Sequence, residues 1–434
     1  MRLIKDRSKL IEYGKNLLIG LLFLSSVFLL LKSVSTGTDS VLEDFGSLFG
    51  ADNGKNSSGF TEAKAFITAA EPAFILATKE DGSHYAAKYA SANREKLLSQ
   101  FSSLLGEAIG SANGEKEITE AQWRNSLKES GVFFDYLHPQ PLAAIARWLG
   151  TEISEGANPN FVRRLFLGGD DTGSLYLYYM SEDETGFFRS KTALNFSALS
   201  PLISELPIGN SAFAFELEDE YKNIDPYFIF SGEFAELRAL SVSNPLVDDS
   251  VVSSLLSLFD MRKVSSYPES DGSMVFIDGK RSLRIDIAGK AVFSVAASDA
   301  TKIVKKGDKL ELLDCINAAG FIAQTGAGSL SGSAKPSLTK IVSAKDPENC
   351  TLIFEYTIDG VPISLQNNQP AAKIELQDGA VTRVEMVFRS YSFSGGLLYP
   401  LSERLAAAIA VKGGEPVLRY EDRSSGVSSS WINY

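Results

Sequence analysis

Two histidines, His84 and His138, and two cysteines, Cys315 and Cys350, are the whole supply of those side chains in this 434-residue chain. A zinc site needs three or four His, Cys or carboxylate ligands at helical or loop spacing. Neither histidine has such company, and no H-E-x-x-H or C-x-x-C occurs. Both are expected at strand edges or in turns. A Ser-His-Asp site would have to recruit one of them, and no G-x-S-x-G turn is present. Ser337-Leu338-Thr339-Lys340 has the S-x-x-K form of an acylating serine. That chemistry needs a helix that sets the lysine one turn from the serine, whereas this tetrapeptide enters a predicted strand. Residues 168–173, GGDDTG, suggest a calcium loop or a phosphate cradle. They lack the EF-hand register and the P-loop Lys-Ser/Thr, and read as a surface turn. The carboxylate pairs Asp170/Asp171 and Glu218/Asp219 would support glycoside hydrolysis only with their groups ~5–10 Å apart. On these residues no catalytic group, metal ligand or cofactor site is assigned, and a non-enzymatic protein is expected.

Cys315 and Cys350 are either one disulfide or two buried thiols, because one pair sets no framework pattern. Paired, they would close a loop of about 36 residues, worth ~3–4 kcal/mol.

The element that decides where any of this operates is the charge-free stretch 17–31, LLIGLLFLSSVFLLL. Twelve of its fifteen residues are Leu, Ile, Phe or Val, which favours membrane insertion by about 4–7 kcal/mol. As a helix it spans ~22 Å of a ~30 Å hydrocarbon core. Its flanks supply the rest, with Tyr13 at the interface and Lys15 and Lys32 snorkelling to headgroups. Residues 1–16 carry Arg2, Lys5, Arg7, Lys9 and Lys15 against Asp6 and Glu12. The positive-inside rule therefore places this end in the cytoplasm and the remainder outside. An uncleaved anchor over 17–34 is expected; the rival is a signal peptide cleaved near Ser33-Val34-Ser35. Packing between membrane helices uses small and polar residues, so Gly20, Ser25 and Ser26 are the candidate contacts of this segment.

Charge divides sharply at that boundary. Residues 1–35 carry net +4 of a total of −12, which leaves −16 on the rest. An acidic body is repelled by nucleic-acid phosphates, so no nucleic-acid partner is expected. With 44% hydrophobic and 22% charged residues, the composition is that of a folded protein rather than a stalk.

The expected organisation is a cytoplasmic segment 1–16, the anchor 17–34, a linker 35–59, a first α+β region 60–232, a helix plus β-meander 233–299, and a C-terminal α+β domain 300–434. In the first region, strands at 73–79 and 84–89 flank an Asp-Gly turn. A helix at 94–109 sets Leu97, Phe101, Leu105 and Ala108 on one face. Thr119 opens a capping box, Pro141 a helix to 149, and strands follow at 132–137, 174–180, 186–191 and 226–231. The next region has a helix at 245–259 and three strands joined through Gly279 and Gly289. The last has helices at 308–323 and 401–411, hairpins at 337–358 and 372–389, and a polar tail. The fold class is thus α+β: an N-terminal transmembrane helix, then helices laid on antiparallel sheets of three to five strands.

Two stretches resemble the YycH/YycI family of membrane-anchored regulators in Gram-positive bacteria. One is residues 267–295, YPESDGSMVFIDGKRSLRIDIAGKAVFSV, whose Tyr-Pro-Glu-x-Asp-Gly opening and strand pair look like that family's central meander. The other is the turn Gly360-Val361-Pro362-Ile363 with AAKIELQDGAVTRVEMVFRSYSF after it, similar to its C-terminal domain. Residues 400–408, Trp431 and the single anchor fit the same plan. The resemblance implies a protein without catalysis that modulates a sensor histidine kinase of cell-wall metabolism. Contacts would run through the membrane helix and the ectodomain, with a related family member as a further candidate partner. A cell-envelope scaffold or ligand-binding protein with no kinase partner is the alternative.

Overall fold

The computed structural model describes residues 71–433 except 90–91, 154–160, 182–185, 218–220, 233–236, 263, 305–306 and 424–425. The basic segment, the apolar stretch with Gly20, Ser25 and Ser26, the linker, and Glu218/Asp219 lie outside the described residues. Among the described residues no helix is long and apolar enough to cross a membrane.

The first sheet is built from β1 (Phe74–Thr78), β2 (His84–Lys88), β3 (Asn113–Ile118), β4 (Gly131–Pro141), β5 (Phe161–Gly169), β6 (Ser174–Ser181), β7 (Phe187–Asn195), β8 (Ser211–Phe213) and β9 (Ile229–Ser231). Their order is β3-β7-β6-β5-β4-β1-β2-β8-β9, antiparallel throughout. The β1–β2 hairpin turns at Gly82, whose φ of +77° suits a residue without Cβ. Alternation sends successive side chains to opposite faces, and here both faces are covered. Ile75, Val132, Phe134, Leu165 and Leu177 meet Leu97, Phe101 and Leu105 of the helix Ala92–Ser111, together with the helices Leu142–Trp148 and Ser200–Ser204. Phe74, Leu76, Phe133 and Phe166 join the other core. Trp123 and Leu127, on the helix Glu120–Lys128, reach the same core, behind the Thr119–Gln122 capping box expected from the sequence. Double coverage explains unbroken apolar runs such as FILA in β1, since no face is left for polar residues.

The second half contains β10 (Leu237–Ser243), the helix Asp249–Leu258, β11 (Ser265–Pro268), β12 (Met274–Asp278), β13 (Arg281–Ile285), β14 (Lys290–Val295), the helix Leu312–Thr325, β15 (Lys335–Val342), β16 (Thr351–Ile358), β17 (Val361–Ser364), β18 (Ala372–Gln377), β19 (Ala380–Val387), β20 (Ser390–Leu398), the helix Glu403–Ala408, β21 (Pro416–Arg423) and β22 (Gly426–Asn433). β10 and β20 form a separate ribbon. The others form one eleven-stranded sheet, β11-β12-β13-β14-β19-β18-β16-β17-β21-β22, with β15 on the far edge of β16. β17 and β21 run parallel among antiparallel neighbours.

The α+β class with antiparallel sheets therefore holds, with corrections. The sheets have nine and eleven strands among the described residues, not three to five. The meander expected as its own region continues into the last one, because Lys290–Ser294 pair with Val387–Arg383. The Gly360-to-Ile363 turn is mostly the strand β17, and the polar tail is the strand β22. β5 was not expected at all, because Arg163 and Arg164 interrupt its apolar pattern.

Candidate functional site

The candidate residues that fall among the described ones have definite places. His84 lies inside the first sheet, between β1 and β8, rather than at an edge. Its Nδ1 is 2.9 Å from Thr78 Oγ1, its Nε2 3.1 Å from Glu216 Oε1, and its ring packs edge-on against Phe213. It is a core histidine whose two nitrogens are both engaged. His138 sits in the irregular part of β4, where the register to β5 breaks between Asp135 and Gln140. Burial, with Arg419 and Arg163 nearby, lowers its pKa to about 3. Asp170 closes the β5–β6 turn on itself, accepting from the Thr172 and Ser174 amides and the Thr172 hydroxyl. The GGDDTG stretch is thus a surface turn. Ser337 shares its hydroxyl with Thr357 at 2.9 Å in β15, and Lys340 is exposed. Among the described residues no cluster of three or more His, Cys, Asp or Glu could hold a metal ion.

Cys315, on the helix Leu312–Thr325, and Cys350, just before β16, are buried free thiols. Both Sγ atoms approach the Pro347 carbonyl, at 3.3 and 3.5 Å. Their mutual hydrogen bond pushes the Cys315 thiol up and holds Cys350 down. Two thiols that share one acceptor are placed for a bond between them, given an oxidant. Exposure of the full chain to oxidised glutathione is expected to remove both free thiols in a maleimide titration after unfolding. The mass should fall by two hydrogens, and urea stability should rise by about 3 kcal/mol. Mixed disulfides with glutathione on both cysteines would refute the pairing.

The densest set of buried charge was not visible in the sequence. Adjacent Arg163 and Arg164 on β5 meet Asp135 on β4, Asp225 before β9 and Glu415 before β21. Arg163 Nε is 3.0 Å from Asp135 Oδ1, and its Nη2 also reaches Glu415. Arg164 Nε is 2.9 Å from Asp135 Oδ2, and its Nη2 lies 2.9 Å from Asp225 and 3.3 Å from Glu415. The Arg164 guanidinium sits over the Tyr227 ring at 5.2 Å, and Asp225 accepts the Tyr227 amide at 2.7 Å. Arg164 has no exposed surface. Burial opposes ionisation of Asp135, but Arg163 and Arg164 hold it below the usual carboxylate range. Burial pushes Glu415 up despite the same two cations. β4 bulges beside the cluster, and Leu137 takes φ +62° while its amide donates to Asp135. A leucine there is strained.

The chemistry this arrangement can do is limited by its enclosure. Two guanidiniums and three carboxylates engage one another, so their charge binds sheet to sheet. Glu415 leads into the second large sheet, and three further contacts cross the same seam. The Leu418 amide donates to Tyr89 Oη at 3.2 Å, Gln140 to the Leu338 carbonyl at 2.9 Å, and Lys88 to Glu403 at 2.9 Å. One buried apolar cluster runs across the seam as well, from Ala73 to Tyr420.

No protein-family model matches the chain, and no curated protein matches it. A solved structure that is similar to it is the crystal structure of YycH from Bacillus subtilis, at 11% sequence identity and a TM-score of 0.46. The match covers 84% of this chain and 96% of that one.

Proposed function

We propose that this protein is a membrane-anchored extracytoplasmic accessory protein that modulates a two-component sensor histidine kinase, without catalysis of its own. The observation that carries the reading is the apolar stretch 17–31 behind a basic segment, joined to a body of net charge −16. The resemblance of residues 267–295 and 360–393 to the YycH/YycI family supports the kinase as partner. The buried charges at Arg163, Arg164, Asp135, Asp225 and Glu415 support a body that acts by its surface, since they are spent on holding the sheets together.

Such a modulator works by binding one kinase conformation better than another; equal affinity for both shifts nothing. A tenfold preference needs only about 1.4 kcal/mol. Gly20, Ser25 and Ser26 are the residues through which the membrane segment would pack against a kinase helix. Replacement of residues 17–31 by poly-leucine, with Lys15 and Lys32 kept, is expected to reduce kinase recovered with the protein in detergent at least tenfold. The anchored body should remain sensitive to protease added to intact cells. Deletion of the gene with no change in the output of any sensor kinase would refute the proposal.

A further inference from the structure

Five of the large apolar side chains exposed among the described residues fall between 399 and 411: Tyr399, Leu401, Leu405, Ile409 and Val411. The helix Glu403–Ala408 at their centre is fixed from its other side. Glu403 accepts from Lys88 Nζ at 2.9 Å and from the Ser231 amide at 2.6 Å, and Ala407 packs with Phe228 and Phe230. Leu405 and Ile409, four residues apart, are 55% and 68% exposed. Single exposed apolar residues are ordinary, whereas a group of this kind marks a docking face.

We propose that the occupant of this face is the chain's own segment 41–49, VLEDFGSLF. Val41, Leu42, Phe45, Leu48 and Phe49 have the i, i+1, i+4, i+7, i+8 spacing of one helical face. Asp39, Glu43 and Asp44 accompany them, and the exposed cations Arg404 and Lys412 adjoin Leu405 and Val411 in the chain. The described chain also begins beside the face. The Ala73 carbonyl accepts the Tyr89 amide at 3.1 Å, the Tyr89 ring lies 6.4 Å from that of Trp431, and the Trp431 indole donates to the Leu401 carbonyl at 2.8 Å. From residue 49 to residue 71, a coil reaches about 25 Å r.m.s., which suits so short a gap. A tether of that length gives an effective concentration in the mM range, so even weak intrinsic affinity fills the face. The docking is independent of the proposed function. If residues 17–34 also cross a membrane, the seven steps from 34 to 41 hold the face within roughly 25 Å of the bilayer.

Hydrogen exchange on the full chain in detergent tests this. Phe45→Asp/Leu48→Asp is expected to speed exchange of the amides of residues 403–411 at least tenfold, and Leu405→Asp/Ile409→Asp to do the same for residues 41–49. Unchanged exchange at 403–411 in the first variant overturns the proposal and points to detergent or another surface as the cover. Phe45→Cys/Leu405→Cys, in a Cys315→Ser/Cys350→Ser background, should cross-link within one chain under mild oxidation. Cross-links that form only between chains, and grow with concentration, overturn it in favour of a second copy.

Discussion

Arg164→Met is expected to cost about 3–5 kcal/mol of stability at neutral pH, a large share of what a folded chain has. Methionine fills much of the volume but leaves Asp135, Asp225 and Glu415 buried with Arg163 as their one remaining cation in the group. The cost is that of stranded charge, not of a lost contact. Adding Glu415→Gln should therefore restore part of the loss, as a double-mutant cycle would record. Because the cluster joins β4 and β5 to the lead-in of β21, the single variant is also expected to loosen the seam. Urea unfolding followed by Trp123 in one half and Trp431 in the other should then show two midpoints where the unsubstituted protein shows one. A loss below about 1 kcal/mol, with coincident midpoints, would mean that the apolar cluster alone joins the sheets.

The second large effect is acid sensitivity between pH 6.5 and 3, centred on His138. In the folded chain its pKa is lowered to about 3 by burial and by Arg419 and Arg163, against the 6.5 of an ordinary histidine. Below 6.5 the unfolded chain takes up a proton that the folded chain refuses. The stability His138 contributes is thus complete above 6.5 and is lost as pH falls towards 3. At pH 5 that amounts to about 2 kcal/mol, at 1.36 kcal/mol per pH unit. Asp135 acts in the same sense lower down, because its pKa is depressed. Glu415 acts oppositely: with a raised pKa, its contribution is full below the ordinary carboxylate range and is lost as pH rises through the folded value. His138→Gln should flatten the stability profile between pH 5 and 6.5 while leaving the region below pH 4 steep. An identical profile in that variant would remove His138 from the account.

Local structure was legible where its causes are local. The Thr119–Gln122 capping box, the Gly82, Gly279 and Gly289 turns and the limits of β16 all follow from neighbours within a few residues. What the sequence hid depends on distant partners. β5 reads poorly as a strand because Arg163 and Arg164 look like surface residues until Asp135, Asp225 and Glu415 are brought to them. β22, SSS at its centre, gains strand form from pairing with β21. The sizes of the sheets follow from β14 meeting β19 and β17 meeting β21, which no periodicity reports. The candidate site was illegible for the same reason, whereas for Cys315 and Cys350 the composition left a disulfide and two buried thiols open, and the structure has them as buried free thiols.

The seam also imposes an order in time. Arg164 leaves the ribosome 251 residues before Glu415. At ~5–20 residues per second, the guanidiniums wait on the order of 10–50 s for that carboxylate. During this interval Asp135 and Asp225 already balance the two guanidiniums, but one apolar face of the nascent first half is bare, and it is then that a chaperone would find it.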